Sequence, residues 1–431
     1  MLEKLFKLSE NSTNVRTELI AGVTTFLTMA YIAFVNPSIL AAAGMDPGAV
    51  FVATCLAAAI GSAIMGLWAN YPIALAPGMG LNAFFAYTVV LTLGHSWQTA
   101  LGAVFIAGVL FLILSMLKVR EWIINAIPHG LKLSIAAGIG MFLGIIGLKN
   151  AGIVVDHPAT LVTLGDLTQA TVLVAIVGFL VMAALDARRV PGAITIAILL
   201  ATLVAVATGL SEATGVFSMP PSLLPTLFAM DLAGALDGAL ISVIFAFLFV
   251  DLFDTAGTLI GVAHQGGMLD KQGKLPRLGK ALMSDSVATV AGAAMGTSTT
   301  TSYIESVAGV KAGGRTGLTA VVVAVLFLLC LFFAPLAGTI PPYATAPALV
   351  FVACMMMRGI AEVDWDDVTE YVPAVITAIS MPLTFSISTG IGFGFVAYAA
   401  IKILTGRWKD AGPAVIVLAG LFILKFAFLD G

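Results

Sequence analysis

Residues 296–311 read GTSTTTSYIESVAGVK, and whether this stretch crosses a membrane decides the architecture of the chain. A hydrocarbon core about 30 Å thick needs roughly 20 apolar residues per helix, so a stretch this short and polar cannot span as a plain helix. Its surroundings leave little choice of medium. The 431 residues are 60% hydrophobic and 10% charged, with a mean hydropathy of +1.07, against about 25% charged residues in an ordinary soluble domain. Plain spans are expected near 17–40, 49–69, 97–117, 130–148, 168–185, 190–209, 238–263, 279–295, 315–335, 341–358, 371–388 and 389–404. A second awkward stretch, residues 72–93 (PIALAPGMGLNAFFAYTVVLTL), breaks at Pro77-Gly78, and a last apolar run at 412–428 is a candidate extra helix.

Lysine and arginine decide whether the two awkward stretches count. With a cytoplasmic N-terminus and one crossing per segment, inside loops and helix ends receive Lys4, Lys7, Arg16, Lys118, Arg120, Lys132, Arg188, Arg189, Lys271, Lys274, Arg277, Lys280, Lys311, Arg315, Arg358, Lys402, Arg407 and Lys409. Only Lys149 and Lys425 of the 20 fall outside. Dropping both stretches inverts the middle of the chain and spoils this asymmetry, so both are read as crossings. The halves also share a small-residue hexad, Gly61-Ser-Ala-Ile-Met-Gly66 and Ala291-Gly-Ala-Ala-Met-Gly296, each just before an interrupted segment. Seven crossings per half is odd, so the second repeat is inverted relative to the first.

Residues 249–261 (FVDLFDTAGTLIG) place two carboxyls in an apolar helix. Asp251, Asp254, Thr255 and Thr258 follow i, i+3, i+4, i+7 and share one helix face. An aspartate at the bilayer centre costs about 2.5 to 3.5 kcal/mol, so this stripe must face a polar cavity. There desolvation and mutual repulsion disfavour two charges at once, which suits a group that takes up and releases a proton. An interhelical packing pair is the plainer alternative. In the interrupted stretch, the hydroxyl run Thr297–Ser302 precedes Glu305, and a helix starting at Ser302 puts Glu305 at the spacing of a capping box. Its counterpart is Ala76-Pro-Gly-Met-Gly-Leu-Asn82, where Pro77 suits a helix start and Asn82 offers donor and acceptor. For Glu305 a pure capping role and for Asn82 a packing role stay open. Two extended-then-helical segments at matching places point to a binding site near the midplane.

Other signals are weaker. His95, His129, His157 and His264 have no metal-ligand spacing and read as surface histidines. Cys55, Cys330 and Cys354 lie in apolar segments without pairing spacing and read as packing residues. Asp364-Trp-Asp366-Asp367 reads as a solvated connector, and Arg315 as an interfacial anchor. The N-terminus lacks the apolar core of a secretory signal. No Walker loop, Rossmann fingerprint or HExxH motif is present, and the scattered basic residues form no nucleic-acid patch.

FDTAGTLIGVA (253–263) and GTSTTTSYIESVAGVKAGGRTGLTA (296–320) resemble the AzgA-like purine permeases of the nucleobase/ascorbate transporter superfamily. TELIAGVTTFLTMAYIAFVNPSIL (17–40), APGMGLNAFFAY (76–87) and GIGFGFVAY (390–398) carry the same likeness. The resemblance implies an all-α polytopic membrane protein of the uracil-permease type, with 14 transmembrane segments in two inverted repeats (residues 1–235 and 236–431). Segments 3 and 10 are each a short strand plus a half-helix. A core domain spans about 17–117 and 238–335, and a gate domain about 120–210 and 341–405. It further implies proton symport of adenine, guanine or hypoxanthine across the inner (plasma) membrane, no cofactor beyond the proton gradient, no metal and no enzymatic activity. Asp251, Glu305 and Asn82 are its substrate-binding positions, with Ser302 and Thr301 beside them and Phe253, Phe84 and Phe85 as candidate walls. Asp254, Asp251 and Glu305 are the proton-coupling positions. A purine base, a proton, the bilayer and a second copy in a homodimer are the expected partners; nucleic acid is not.

Four rivals can be weighed from the residues. An anion carrier lacks a fixed cation, since neither polar stretch contains Lys or Arg. A pyrimidine carrier on the same fold is left open. An intramembrane aspartyl protease needs YD and GxGD aspartates on different helices, whereas Asp251 and Asp254 share one. A passive channel is separated only by testing uphill uptake.

Overall fold

The computed structural model describes residues 2–117, 127–270 and 275–428. Four cations of the orientation argument, Lys118, Arg120, Lys271 and Lys274, lie outside the described residues. Among those described, ten helices are long and apolar enough to cross a membrane, and the protein is a mostly helical polytopic membrane protein. The first half comprises α1 (Val15–Met29), α2 (Ile32–Ala41), α3 (Pro47–Ile64), β1 (Leu75–Pro77), α4 (Met79–Ala83), α5 (Trp97–Met116), α6 (His129–Asn150), β2 (Val154–His157), β3 (Leu161–Leu164), α7 (Ala170–Ala187) and α8 (Ala193–Ala207). The second comprises α9 (Ile241–Gln265), α10 (Leu278–Met295), β4 (Thr300–Ser302), α11 (Ser306–Lys311), α12 (Gly317–Cys330), α13 (Pro342–Met357), α14 (Val368–Thr384), α15 (Ile387–Leu404) and α16 (Trp408–Phe428).

The two interrupted stretches meet. β1 pairs antiparallel with β4, with Leu75 opposite Ser302, Ala76 opposite Thr301 and Pro77 opposite Thr300. Extended backbone at membrane depth is tolerated only if its polar groups are satisfied, and both outer edges are closed by the same device. On α3, the Ser62 hydroxyl accepts from the Leu75 N–H at 2.9 Å and donates to the Leu75 carbonyl at 3.1 Å. On α10, the Thr289 hydroxyl accepts from the Thr300 N–H at 3.2 Å and donates to its carbonyl at 2.9 Å. One hydroxyl per strand thus replaces a missing neighbour strand. The crossing is tight: a Cβ on Gly78 would lie 2.5 Å from Thr301 Cγ2, so only glycine fits.

The helices sort by their packing. α3 and α5 pack on α10, α1 and α3 pack on α12, and α11 lies on α1. α6 packs on α13 and α14, α7 on α8 and α13, and α15 on α14 and α16. The small-residue hexads both end the helix before a strand; Gly61 admits no Cβ against Ala288 (2.9 Å), a close approach typical of membrane helices. Buried Glu18 on α1 accepts from the backbone N–H of Arg315 (2.8 Å) and the hydroxyl of Thr319 (2.6 Å), joining α1 to the start of α12.

Several expectations are corrected. The chain is not purely α-helical, since the loop after α6 forms the β2–β3 hairpin from VVDH (154–157) and LVTL (161–164). The capping box does not form: Glu305 itself is the N-cap of α11 and its side chain bonds no α11 amide. Pro77 ends a strand, not begins a helix. α14 stops at Thr384, where Phe385 adopts a left-handed conformation and Ser386 caps α15, four residues before the expected boundary. Arg315, expected as an interfacial anchor, donates from Nη1 to the Val310 and Gly314 carbonyls at the exit of α11, which leaves that expectation standing. The run at 412–428 is helical, as part of α16, which kinks at Gly412.

Candidate functional site

α9 carries the polar stripe into the middle of the molecule, where it faces β4 and α10. Asp251 is 2% exposed and Thr255 is fully buried, while Asp254 and Thr258 are half-buried. Thr255 is the hub. Its hydroxyl lies 2.8 Å from Thr301 Oγ1, 2.8 Å from Asp285 Oδ1 and 3.4 Å from Asp251 Oδ1. A hydroxyl has one proton to donate, so it can serve one of these carboxylates at a time. Asp254 lies beside the strand crossing: its Oδ2 is 3.6 Å from where a Gly78 Cβ would stand, and its carboxyl interacts with the Thr301 side chain.

From the other side come the two interrupted segments. Glu305 follows β4 directly, and its Oε1 accepts the Tyr31 hydroxyl proton at 2.5 Å. Asn82 on α4 is fully buried, and neither atom of its amide has a hydrogen-bond partner among the described residues. The Ser302 hydroxyl is buried in the same condition. Buried polar groups are ordinarily paired, so the Asn82 amide and the Ser302 hydroxyl keep unused hydrogen-bonding capacity.

The aromatic wall differs from expectation. Phe253 stands half a turn around α9 from the stripe, at about 100° per residue, and stacks on Phe249 with ring centroids 6.2 Å apart. It is therefore not brought to the carboxyls. Phe247, one turn before Asp251 on the same face, is fully buried and meets Phe84 edge-to-face at 5.1 Å. Phe85 is also buried. Thus Asp251, Asp254, Thr301, Ser302, Glu305 and Phe84 gather around one strand pair.

Sequence reasoning missed three residues here. Asp285, wholly buried on α10, carried the signal that flagged Asp251: a carboxyl inside an apolar span. Tyr31 and Phe247 carried none, being aromatic residues in apolar helices. Among the described residues no group of three His, Cys, Asp or Glu side chains is arranged to hold a metal.

Comparison with known proteins places this geometry. The chain is 52% identical to the adenine permease AdeP of Escherichia coli (strain K12), over 100% of this chain and 97% of that protein. It is 47% identical to the guanine/hypoxanthine permease PbuG of Bacillus subtilis (strain 168), over 99% and 100%. Among solved structures, the transmembrane domain of the cyanobacterial bicarbonate transporter BicA superposes with a TM-score of 0.65 at 16% identity, covering 87% of this chain and 96% of that one; this likeness shows the fold alone. The permease family model matches residues 16–393, and with that match and those relatives the chain belongs to the permease family of membrane transporters, on the branch that holds the purine permeases.

Proposed function

We propose that the protein is a proton-coupled symporter that carries purine nucleobases, such as adenine, guanine or hypoxanthine, into the cell. The observation that carries this reading is the β1–β4 pair, which gathers Thr301, Ser302 and Glu305 against the Asp251–Asp254 face of α9. A purine is neutral, planar and edged with donors and acceptors. Carboxylates and an orphaned amide suit that edge, and the Phe84–Phe247 pair suits its face. In this mechanism Asp251 and Glu305 hold the base, with Asn82 and Ser302 completing its hydrogen bonds. Asp254, coupled to its neighbouring carboxyls, carries the proton. A core of α1–α5 and α9–α12 moves against a gate of α6–α8 and α13–α15 to expose the site alternately, within 14 crossings arranged as two inverted repeats. The N-terminus is cytoplasmic and the membrane is the plasma membrane.

Uptake of radiolabelled adenine, guanine and hypoxanthine into proteoliposomes under an imposed proton gradient tests this, with xanthine and uracil as competitors. Accumulation above equilibrium that collapses with a protonophore is expected. Accumulation without a proton gradient would sink the symport reading, and preference for uracil would favour a pyrimidine carrier. Asp254→Asn should uncouple the two fluxes; if it still acidifies the lumen with purine at the wild-type ratio, Asp254 is not on the proton path.

A further inference from the structure

Resting on the reading above, we propose that Tyr31 is a specificity-determining positioning residue, holding Glu305 as a hydrogen-bond acceptor toward the N–H edge of the base. Tyr31 occupies the turn between α1 and α2, where the first span is interrupted, and its side chain is fully buried. Its hydroxyl reaches across to Glu305 Oε1 at 2.5 Å. Two further contacts fix the same junction. The Thr28 hydroxyl, which donates to the Thr25 carbonyl at 2.8 Å within α1, also lies 3.4 Å from the Glu305 backbone carbonyl. Farther along α11, a Cβ on Gly309 would stand 2.0 Å from Thr25 Oγ1 and 2.6 Å from the Ala21 carbonyl, so α11 seats directly on α1.

The side chain of Glu305 had an alternative: as the N-cap of α11 it could bond that helix's own amides, yet it makes no such bond. It is turned to Tyr31 instead. A phenol is a donor toward a carboxylate, and a carboxylate is an acceptor only. With Oε1 committed to Tyr31, the carboxyl is held in one rotamer and meets a ligand with its remaining oxygen. That arrangement favours bases presenting an N–H donor and discriminates among them, because adenine, guanine and hypoxanthine place their donors differently. One hydrogen bond suffices for such discrimination.

Tyr31→Phe removes the donor and little else. Hydrogen bonds to charged groups are worth about 1.5–3 kcal/mol, so the half-saturating purine concentration should rise about 10-fold or more, with the maximal rate within roughly twofold. The ratio of the adenine and guanine constants should change as well. A double-mutant cycle then asks whether Tyr31 acts through Glu305. In a Glu305→Gln background, read by binding of radiolabelled adenine to purified protein, Tyr31→Phe should add no further loss. If Glu305→Gln abolishes binding, the split between half-saturation and maximal rate, together with the adenine-to-guanine ratio, decides. Unchanged half-saturation and selectivity in Tyr31→Phe, or an equal loss in both backgrounds, overturns the proposal. Absence of purine uptake by the wild-type protein would instead overturn the transport reading on which it rests.

Discussion

Two clusters of charge in this protein, one inside the fold and one reaching its surface, show different partners. Around the β1–β4 pair, Asp251, Asp254, Asp285 and Glu305 gather, and hydroxyls of Thr255, Thr301 and Tyr31 are among their partners. Near the end of α15, by contrast, carboxylates pair with cations. Lys402, with a side chain 1% exposed, pairs with Glu370 at 2.7 Å and donates to the Thr369 hydroxyl at 2.7 Å. Tyr398 donates to Glu370 at 2.9 Å, and Arg407 bridges Asp367 at 2.6 Å and Asp410 at 2.9 Å. Lys402 also sits in the last turn of α15, where the helix dipole favours a cation. Compensated charge of this kind fixes helices to one another. Carboxyls gathered together are costly to bury, and under the proposed function a ligand or proton supplies the balance.

The contrast can be broken from either side. Asp251→Asn should reduce purine uptake at least about 100-fold while leaving thermal unfolding in detergent within a few degrees, since a buried carboxyl kept for function contributes little to stability. Strong uptake by this variant would reassign the acid cluster to packing. At the other cluster the effect should reverse. Lys402→Met leaves the partly exposed Glu370 without its cation and should cost about 2 kcal/mol of stability, the scale of a hydrogen bond to a charged group, read by denaturant unfolding in detergent. Lys402→Met combined with Glu370→Leu should recover most of that loss; no recovery would mean that packing, not charge pairing, holds α14 to α15.

Smaller effects sharpen the comparison. Thr255→Val removes the hub hydroxyl without changing shape and should slow uptake about 10-fold, the scale of one hydrogen bond to a charged group. An unaltered rate would show that the carboxyls are positioned independently of it. The smallest effect concerns the rim of the paired cluster. The Arg407 guanidinium, with the Thr369 hydroxyl and amide, holds the Asp367 carboxyl well below the usual carboxylate range. A depressed folded-state value stabilises above the ordinary carboxylate value near 4 and is lost only as pH falls through the folded value. Between pH 7 and 5, Asp367→Asn and wild type should therefore differ by a constant, small margin in melting temperature, as for an exposed pair. A margin that closes within this window would contradict the pairing.

Much of this was legible in the residues. Intramembrane acids announce themselves, because carboxyls in an apolar run are too costly to be incidental, and Asp251, Asp254 and Glu305 were found that way. Asp285 obeys the same rule, but it stands between Ser284 and Ser286 in a less apolar helix than α9, so its carboxyl is less conspicuous. The pairing of 75–77 with 300–302 was foreshadowed by the two interruptions, but not its register, which depends on Ser62 and Thr289 arriving from other helices. Phe253 was misassigned because proximity in sequence to Asp254 is not proximity on a helix surface, where neighbouring residues stand about 100° apart. Phe247, four residues before Asp251, was the better choice on that geometry.

By itself, then, the chain determined its medium, its helical spans, the places where they break and the residues too polar to face lipid, because each follows from local transfer energies and short-range periodicity. Tertiary structure alone decided which atoms meet: that Tyr31 answers Glu305, that Thr255 stands among Asp251, Asp285 and Thr301, and that Lys402 finds Glu370. Such pairings join segments far apart in sequence, and their distances depend on how whole helices pack, a collective outcome that no local pattern encodes.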